Sequence, residues 1–380
     1  MGKVRDGFAY LEELKQRNRG SAPTFSSFTS YLEKKAKERG VPLNGQFELT
    51  PMCNLRCGMC YVRLSAGQMR QPLLRPEEWN GLISQACRAG MLCATLTGGE
   101  CLTYPGFREV YEHLQALGCE VTLMTNGVLL DEAWLRYFRR HRPGSVYVTL
   151  YGDSEDAYER VTGQRAFEAA VRHIRAIREA DLPLMMSVTP CRLLGEDVFG
   201  TIRLAKELSP NVRVNSWLCT PRQETGRADV EEDLSQADYI RVYRYQQELD
   251  GVQCAECPAE SLPDPGGPVR GGVVRGLRCG GERSSFSVNW RGVMSPCNEL
   301  EMIETYPLRD GFDQAWQEVH RAVLEWPRAA ACEGCAYAPV CVPCAGRLLR
   351  YGEPGTCPAD LCGQTMRYVQ QGVYSIPACE

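Results

Sequence analysis

An α/β fold, a partial (β/α)6 barrel followed by a small cysteine-rich domain, is predicted by three observations. Six short strand-type runs alternate with helix-length segments from residue 47 onward. Regular periodicity fades after the Pro- and Gly-rich stretch CAECPAESLPDPGGPVRGGVV, which begins at residue 254. Cysteines become frequent beyond that point, as in a domain ordered by metal rather than by a large apolar core.

Residues 6–18 and 26–39 read as two short polar helices, the second stopped by Gly40, so 1–46 form a lead-in. Strand-type runs follow at 47–50, 92–97, 120–125, 145–150, 184–189 and 212–218. In the first long helix Pro76 suits the first helical position, Glu77 and Glu78 favour its positive end, and Gly90 suits the stop. Trp79, Leu82, Ile83 and Cys87 share one face, which predicts Cys87 as a buried core thiol. Further helices are predicted near 106–117 and 233–249. Right-handed crossovers make the sheet parallel, and six units fall short of the eight of a closed TIM-type barrel. The predicted boundaries are 47–250 for the barrel and 251–380 for the cysteine-rich part.

The 380-residue chain is 44% hydrophobic, enough to bury a core. It lacks an apolar run approaching the roughly 20 residues of a membrane span, and its N-terminus lacks a signal-type apolar segment. A cytoplasmic protein without a membrane partner is expected. The net charge of -4, with both signs interspersed, offers no stripe for a phosphate backbone, so nucleic acid is excluded as a partner. Twenty cysteines in a reducing compartment point to metal rather than to disulfides.

Ligands of parallel strand-helix folds collect at the carboxyl ends of the strands. Cys53, Cys57 and Cys60 follow the first strand, Thr97 to Glu100 the second, Thr125 to Gly127 the third, and Thr149 to Gly152 the fourth. All fall on one rim. A protein-closed zinc site takes four ligands, and the four histidines, at 113, 141, 173 and 320, sit in helical stretches away from this loop. A four-iron cluster has four corners, so three cysteines leave one iron open. No GxGxxG follows the first strand, which disfavours a dinucleotide.

CNLRCGMCY resembles the Cx3Cx2C signature of the radical S-adenosylmethionine (SAM) enzymes. The resemblance implies that the open iron chelates SAM, and that its reductive cleavage gives a 5'-deoxyadenosyl radical that takes hydrogen from substrate. Gly98, Gly99 and Glu100 match the family's Gly-Gly-Glu motif; glycines admit close backbone approach and a carboxylate holds an ammonium. Met59 stands where the family often has an aromatic residue, and Tyr61 is placed to flank the adenine. Thr125 and Thr149 take positions where relatives offer hydroxyls near SAM, or are ordinary strand-end threonines.

Cys279 with Gly292 and Cys297, Cys332-x2-Cys335-x5-Cys341-x2-Cys344, and later Cys357 and Cys362 resemble the SPASM domain, which carries auxiliary [4Fe-4S] clusters. That implies three clusters in all. Auxiliary cluster I is assigned Cys279, Cys297 and Cys344, with Cys254 or Cys257 as a fourth ligand against an open site. Cluster II is assigned Cys332, Cys335, Cys341 and Cys362, in preference to Cys357. A pair of zinc knuckles is the alternative for this region. Cys87, Cys93 and Cys119 read as packing thiols and Cys379 as part of a tail. Cys191 and Cys219, at strand ends on the rim, are candidate hydrogen donors of the kind peptide epimerases use. The resemblance implies a peptide maturase acting on a ribosomally made precursor, with a flavodoxin or ferredoxin as electron donor; the roughly 45 residues before the first strand are too few for a winged-helix recognition domain, so leader recognition is expected elsewhere or from a separate protein. Sulfatase maturation, peptide epimerisation and a non-catalytic zinc module are the alternatives.

Overall fold

The computed structural model describes residues 25–62, 64, 72–215, 217–222, 232–252, 273–277, 279, 283–333, 335–341, 344–349, 353–356 and 359–375. The predicted helix at 6–18 and Cys254, Cys257, Cys357 and Cys379 lie outside them.

Six parallel strands alternate with helices: β1 (Asn44–Thr50), β2 (Cys93–Gly98), β3 (Glu120–Thr125), β4 (Ser145–Leu150), β5 (Leu184–Val188) and β6 (Val212–Val214). The helices are α1 (Phe25–Arg39), α2 (Pro76–Ala89), α3 (Phe107–Ala116), α4 (Glu132–Arg140), α5 (Glu155–Thr162), α6 (Phe167–Glu179), α7 (Asp197–Leu208) and α8 (Gln236–Asp250). The expected punctuation is present. Pro76 opens α2, Arg75 and Glu78 form a reciprocal cap, and Gly90 ends the helix in the left-handed region at φ 117°.

Pleating sorts the strand residues between two faces. Phe47 pairs with Leu96, Leu96 with Leu123 and Leu123 with Val146, a row of fully or nearly fully buried side chains. Phe47 meets Trp79 of α2 edge-on at 5.9 Å, so this row faces the helical layer. Glu48 and Thr97 are partners in the alternate row and therefore point to the other face.

The structure corrects the sequence reading in three places. Among the described residues the sheet has eight strands, in the order β6-β5-β4-β3-β2-β1-β8-β9, because β8 (Ser285–Val288) pairs parallel with β1 and β9 (Met294–Ser295) antiparallel with β8. Phe286 drives this: it packs against Phe47 at 5.8 Å and against Phe312 of α9 (Phe312–Glu325) at 5.1 Å. The cysteine-rich part is thus joined to the barrel sheet by ladder hydrogen bonds. Second, the run 212–218 is strand only to Val214, since Asn215 turns its side chain to Ser187 and Thr189. Third, Ala86 rather than Cys87 completes the buried face of α2. Cys87 is half-buried at its edge, with its sulfur 3.3 Å from that of Cys119. A two-stranded ribbon of β7 (Val273–Arg275) and β10 (Pro327–Ala329), and the helix α10 (Ala359–Gln370), complete the C-terminal part.

Candidate active site at the strand ends

The loop after β1 is built against the loop after β2. The Gly99 amide donates to the Thr50 carbonyl at 2.7 Å and the Glu100 amide to the Met52 carbonyl at 2.8 Å. A Cβ on Gly98, whose φ is +132°, would lie 2.3 Å from the Thr50 oxygen, and one on Gly99 would lie 2.3 Å from the Met52 oxygen. The close approach that demands these glycines within the fold is backbone on backbone. Gly99→Ala is expected to destabilise the loop by about 1–3 kcal/mol. Its readout is a fall in iron bound per chain after anaerobic reconstitution.

Glu100, 1% exposed, is a hub. Its carboxylate accepts the Leu102 amide at 3.2 Å, the Asn126 amide at 2.8 Å and the Thr125 hydroxyl at 2.9 Å. Burial raises its pKa, and the amide and hydroxyl donors oppose the rise. Thr125 is thus committed to Glu100. Asn126, the middle residue of TNG, went unassigned in the sequence, yet its amide nitrogen donates to Asn54 at 2.8 Å and to the Cys53 sulfur at 3.6 Å. A polar residue between a strand-end threonine and a glycine was the signal.

Cys53 and Cys60 are half-buried and Cys57 is buried. Burial pushes the Cys57 thiol well up, and the Cys60 and Cys53 sulfurs push it further; Cys53 is raised to about 11, chiefly by burial. Three mutually influencing sulfurs, one buried and two half-buried, are costly as thiolates unless a cation shares the site. Among the described residues no three Cys, His, Asp or Glu side chains converge on a single-ion position.

The Tyr61 phenol donates to Glu48 at 3.2 Å and its ring lies 5.8 Å from the guanidinium of Arg222; Glu48 is a fully buried carboxylate that needs such partners. Thr149 is half-buried on the inner row, in register with Ser187. Cys191 is 1% exposed in the core beside Leu194. Cys219 is half-buried, with its sulfur 4.0 Å from the Asn298 amide nitrogen.

In the C-terminal part Cys332, Cys335, Cys341 and Cys362 line one cavity. Burial raises Cys341, the Thr365 hydroxyl opposes this, and the other three sulfurs are the neighbours that raise it further. Cys297 packs with Leu277 and Ala345, which brings together the chain around Cys279, Cys297 and Cys344.

The model of the Radical SAM superfamily matches residues 47–205, the segment that carries the three-thiol loop and the first strand-helix units. Those residues form a radical SAM domain. SAM and an iron-sulfur cluster are the cofactors of a radical SAM domain, and the thiol loop fits the cluster. The AdoMet-dependent heme synthase of Methanosarcina barkeri is 26% identical over 320 residues, 79% of this chain and 90% of that enzyme. The PqqA peptide cyclase of Streptomyces rochei is 30% identical over 149 residues, 39% of this chain and 41% of that enzyme. The structure of Streptococcus suis SuiB bound to SAM superposes with a TM-score of 0.65 at 14% identity, over 93% of this chain and 88% of SuiB. SuiB has also been solved with its precursor peptide, SuiA. Among the described residues no helix is long and apolar enough to cross a membrane.

Proposed function

We propose that the chain is a radical SAM maturase that makes a crosslink or another oxidative change in a small, ribosomally made peptide. The observation that carries this reading is the cavity that Cys332, Cys335, Cys341 and Cys362 line, in a part whose strand β8 continues the barrel sheet. A cluster there gives the electron of a substrate radical somewhere to go, so the net reaction is an oxidation. Cys53, Cys57 and Cys60 hold the cluster that binds SAM. Cys279, Cys297 and Cys344 hold a third. When bound, the first cluster and SAM together supply the oxidant that removes hydrogen from substrate. The PqqA cyclase relation and the SuiB fold support a peptide as substrate, and β6, a three-residue edge strand, offers free backbone to an extended chain. A flavodoxin or ferredoxin supplies electrons, and leader recognition falls to a separate protein.

The heme synthase relation, which spans 90% of that enzyme, favours a second reading, heme formation. Co-expression with a neighbouring small open reading frame separates the two. A peptide mass lowered by a few hydrogens supports the maturase; no mass change, with heme formed from a heme precursor by the reconstituted protein, overturns it. Cys335→Ala is expected to keep 5'-deoxyadenosine release close to wild type while product formation falls at least about tenfold. The check is both quantities in one chromatogram.

A further inference from the structure

The cysteine loop is held from below by α5. The last carbonyls of a helix have no intrahelical donors. In α5 those of Val161 and Thr162 accept the amides of Gly58 at 3.0 Å and Arg56 at 2.7 Å. These two amides flank Cys57, which is thereby pinned. They are also spent, and neither is left to donate to a sulfur of a bound cluster.

Two phenols stand in and beside the clasping helix. Tyr158 lies three and four residues before the clasping carbonyls and so shares their face of α5. It is 0% exposed, and its hydroxyl has no hydrogen-bond partner among the described residues. A buried hydroxyl without a partner is costly and marks a missing ligand atom. Tyr151, the first residue after β4, meets the Tyr158 ring edge-on at 5.8 Å.

We propose that Tyr151 and Tyr158 are positioning residues that donate O–H hydrogen bonds to the sulfurs of the cluster held by Cys53, Cys57 and Cys60, and thereby raise its reduction potential. Donation to cluster sulfur favours the more negative, reduced form. The inference rests on the radical SAM reading above.

The test is a potentiometric EPR titration of the reconstituted full-length protein, following the one signal that changes when SAM is added. Tyr151→Phe and Tyr158→Phe are each expected to shift the reduction equilibrium about 3- to 10-fold toward the oxidised form, the upper end being about 59 mV for one electron. Tyr104→Phe, whose buried hydroxyl donates to the Leu74 carbonyl away from the loop, should leave the potential unchanged. Unaltered potentials in Phe variants of full iron content overturn the proposal. If a variant fails to load iron, the wild type decides: pulsed EPR must show a strongly coupled proton that exchanges in D2O, and its absence overturns the assignment. A wild-type protein with no SAM-responsive signal overturns the radical SAM reading as well, which keeps the two failures distinct.

Discussion

Cys57→Ala is expected to cut 5'-deoxyadenosine formation from SAM to below about one part in a thousand, equivalent to about 4 kcal/mol in the barrier. Cys57 is the most enclosed of the three loop thiols. Its neighbours, not its own sulfur, hold the backbone in place through the Arg56 and Gly58 amides. Alanine therefore removes one cluster ligand and leaves the loop docked on α5. The variant should keep the wild-type circular dichroism spectrum, lose the iron of one cluster, and release no 5'-deoxyadenosine under dithionite. Cys87→Ala, which loses only the contact with Cys119 at the edge of α2, should keep full SAM cleavage. Equal activity in the two variants would remove the three-thiol loop from the chemistry.

The elements that were legible in the sequence are those whose signals are local. Pro76 and Gly90 bracket α2 because backbone conformation at a helix end depends on the residue standing there. The Cys53, Cys57 and Cys60 spacing is likewise contained in one loop. What the sequence hid was set by distant partners. SFSV at 285–288 looks like any short alternating run, and only Phe47 and Phe312 decide that it joins the barrel sheet. Gly98 and Gly99 were readable as necessary glycines, but the object they approach, the backbone of Thr50 and Met52, is some fifty residues earlier. Tyr151 and Tyr158 carry no motif at all; the clasp of α5 on the cysteine loop gives them a role.

Arg222→Met is expected to cost about 3–5 kcal/mol of stability, the usual penalty for stranding the partner of a buried ion pair. Glu48 is 0% exposed and Arg222 3% exposed. The guanidinium contacts Glu48 on β1 and Glu301 in the C-terminal part, and it lies 4.9 Å from the ring of Trp290. The Arg222 amide also donates to the Tyr61 carbonyl just past the thiol loop, at 3.0 Å. One side chain thus neutralises a carboxylate inside the barrel and ties the strand that leads to Cys53 to the region that carries the other cysteines. With methionine in its place, Glu48 loses its buried cation, and a neutral donor such as the Tyr61 hydroxyl is too little to solvate a buried charge. Its carboxyl must then take up a proton on folding. The sign follows: Glu48 would have a raised folded-state pKa in the variant, so Arg222→Met should lose most stability at neutral and higher pH and recover part of it as the pH falls. Pairing it with Glu48→Leu should restore most of the loss, because removing both charges leaves nothing stranded. Urea midpoints of the four proteins in this cycle, taken at two pH values, supply the measurement. A coupling near zero would show that Arg222 acts by packing on Trp290 rather than by charge, and the ionic tie between the barrel and the cysteine-rich part would have to be given up.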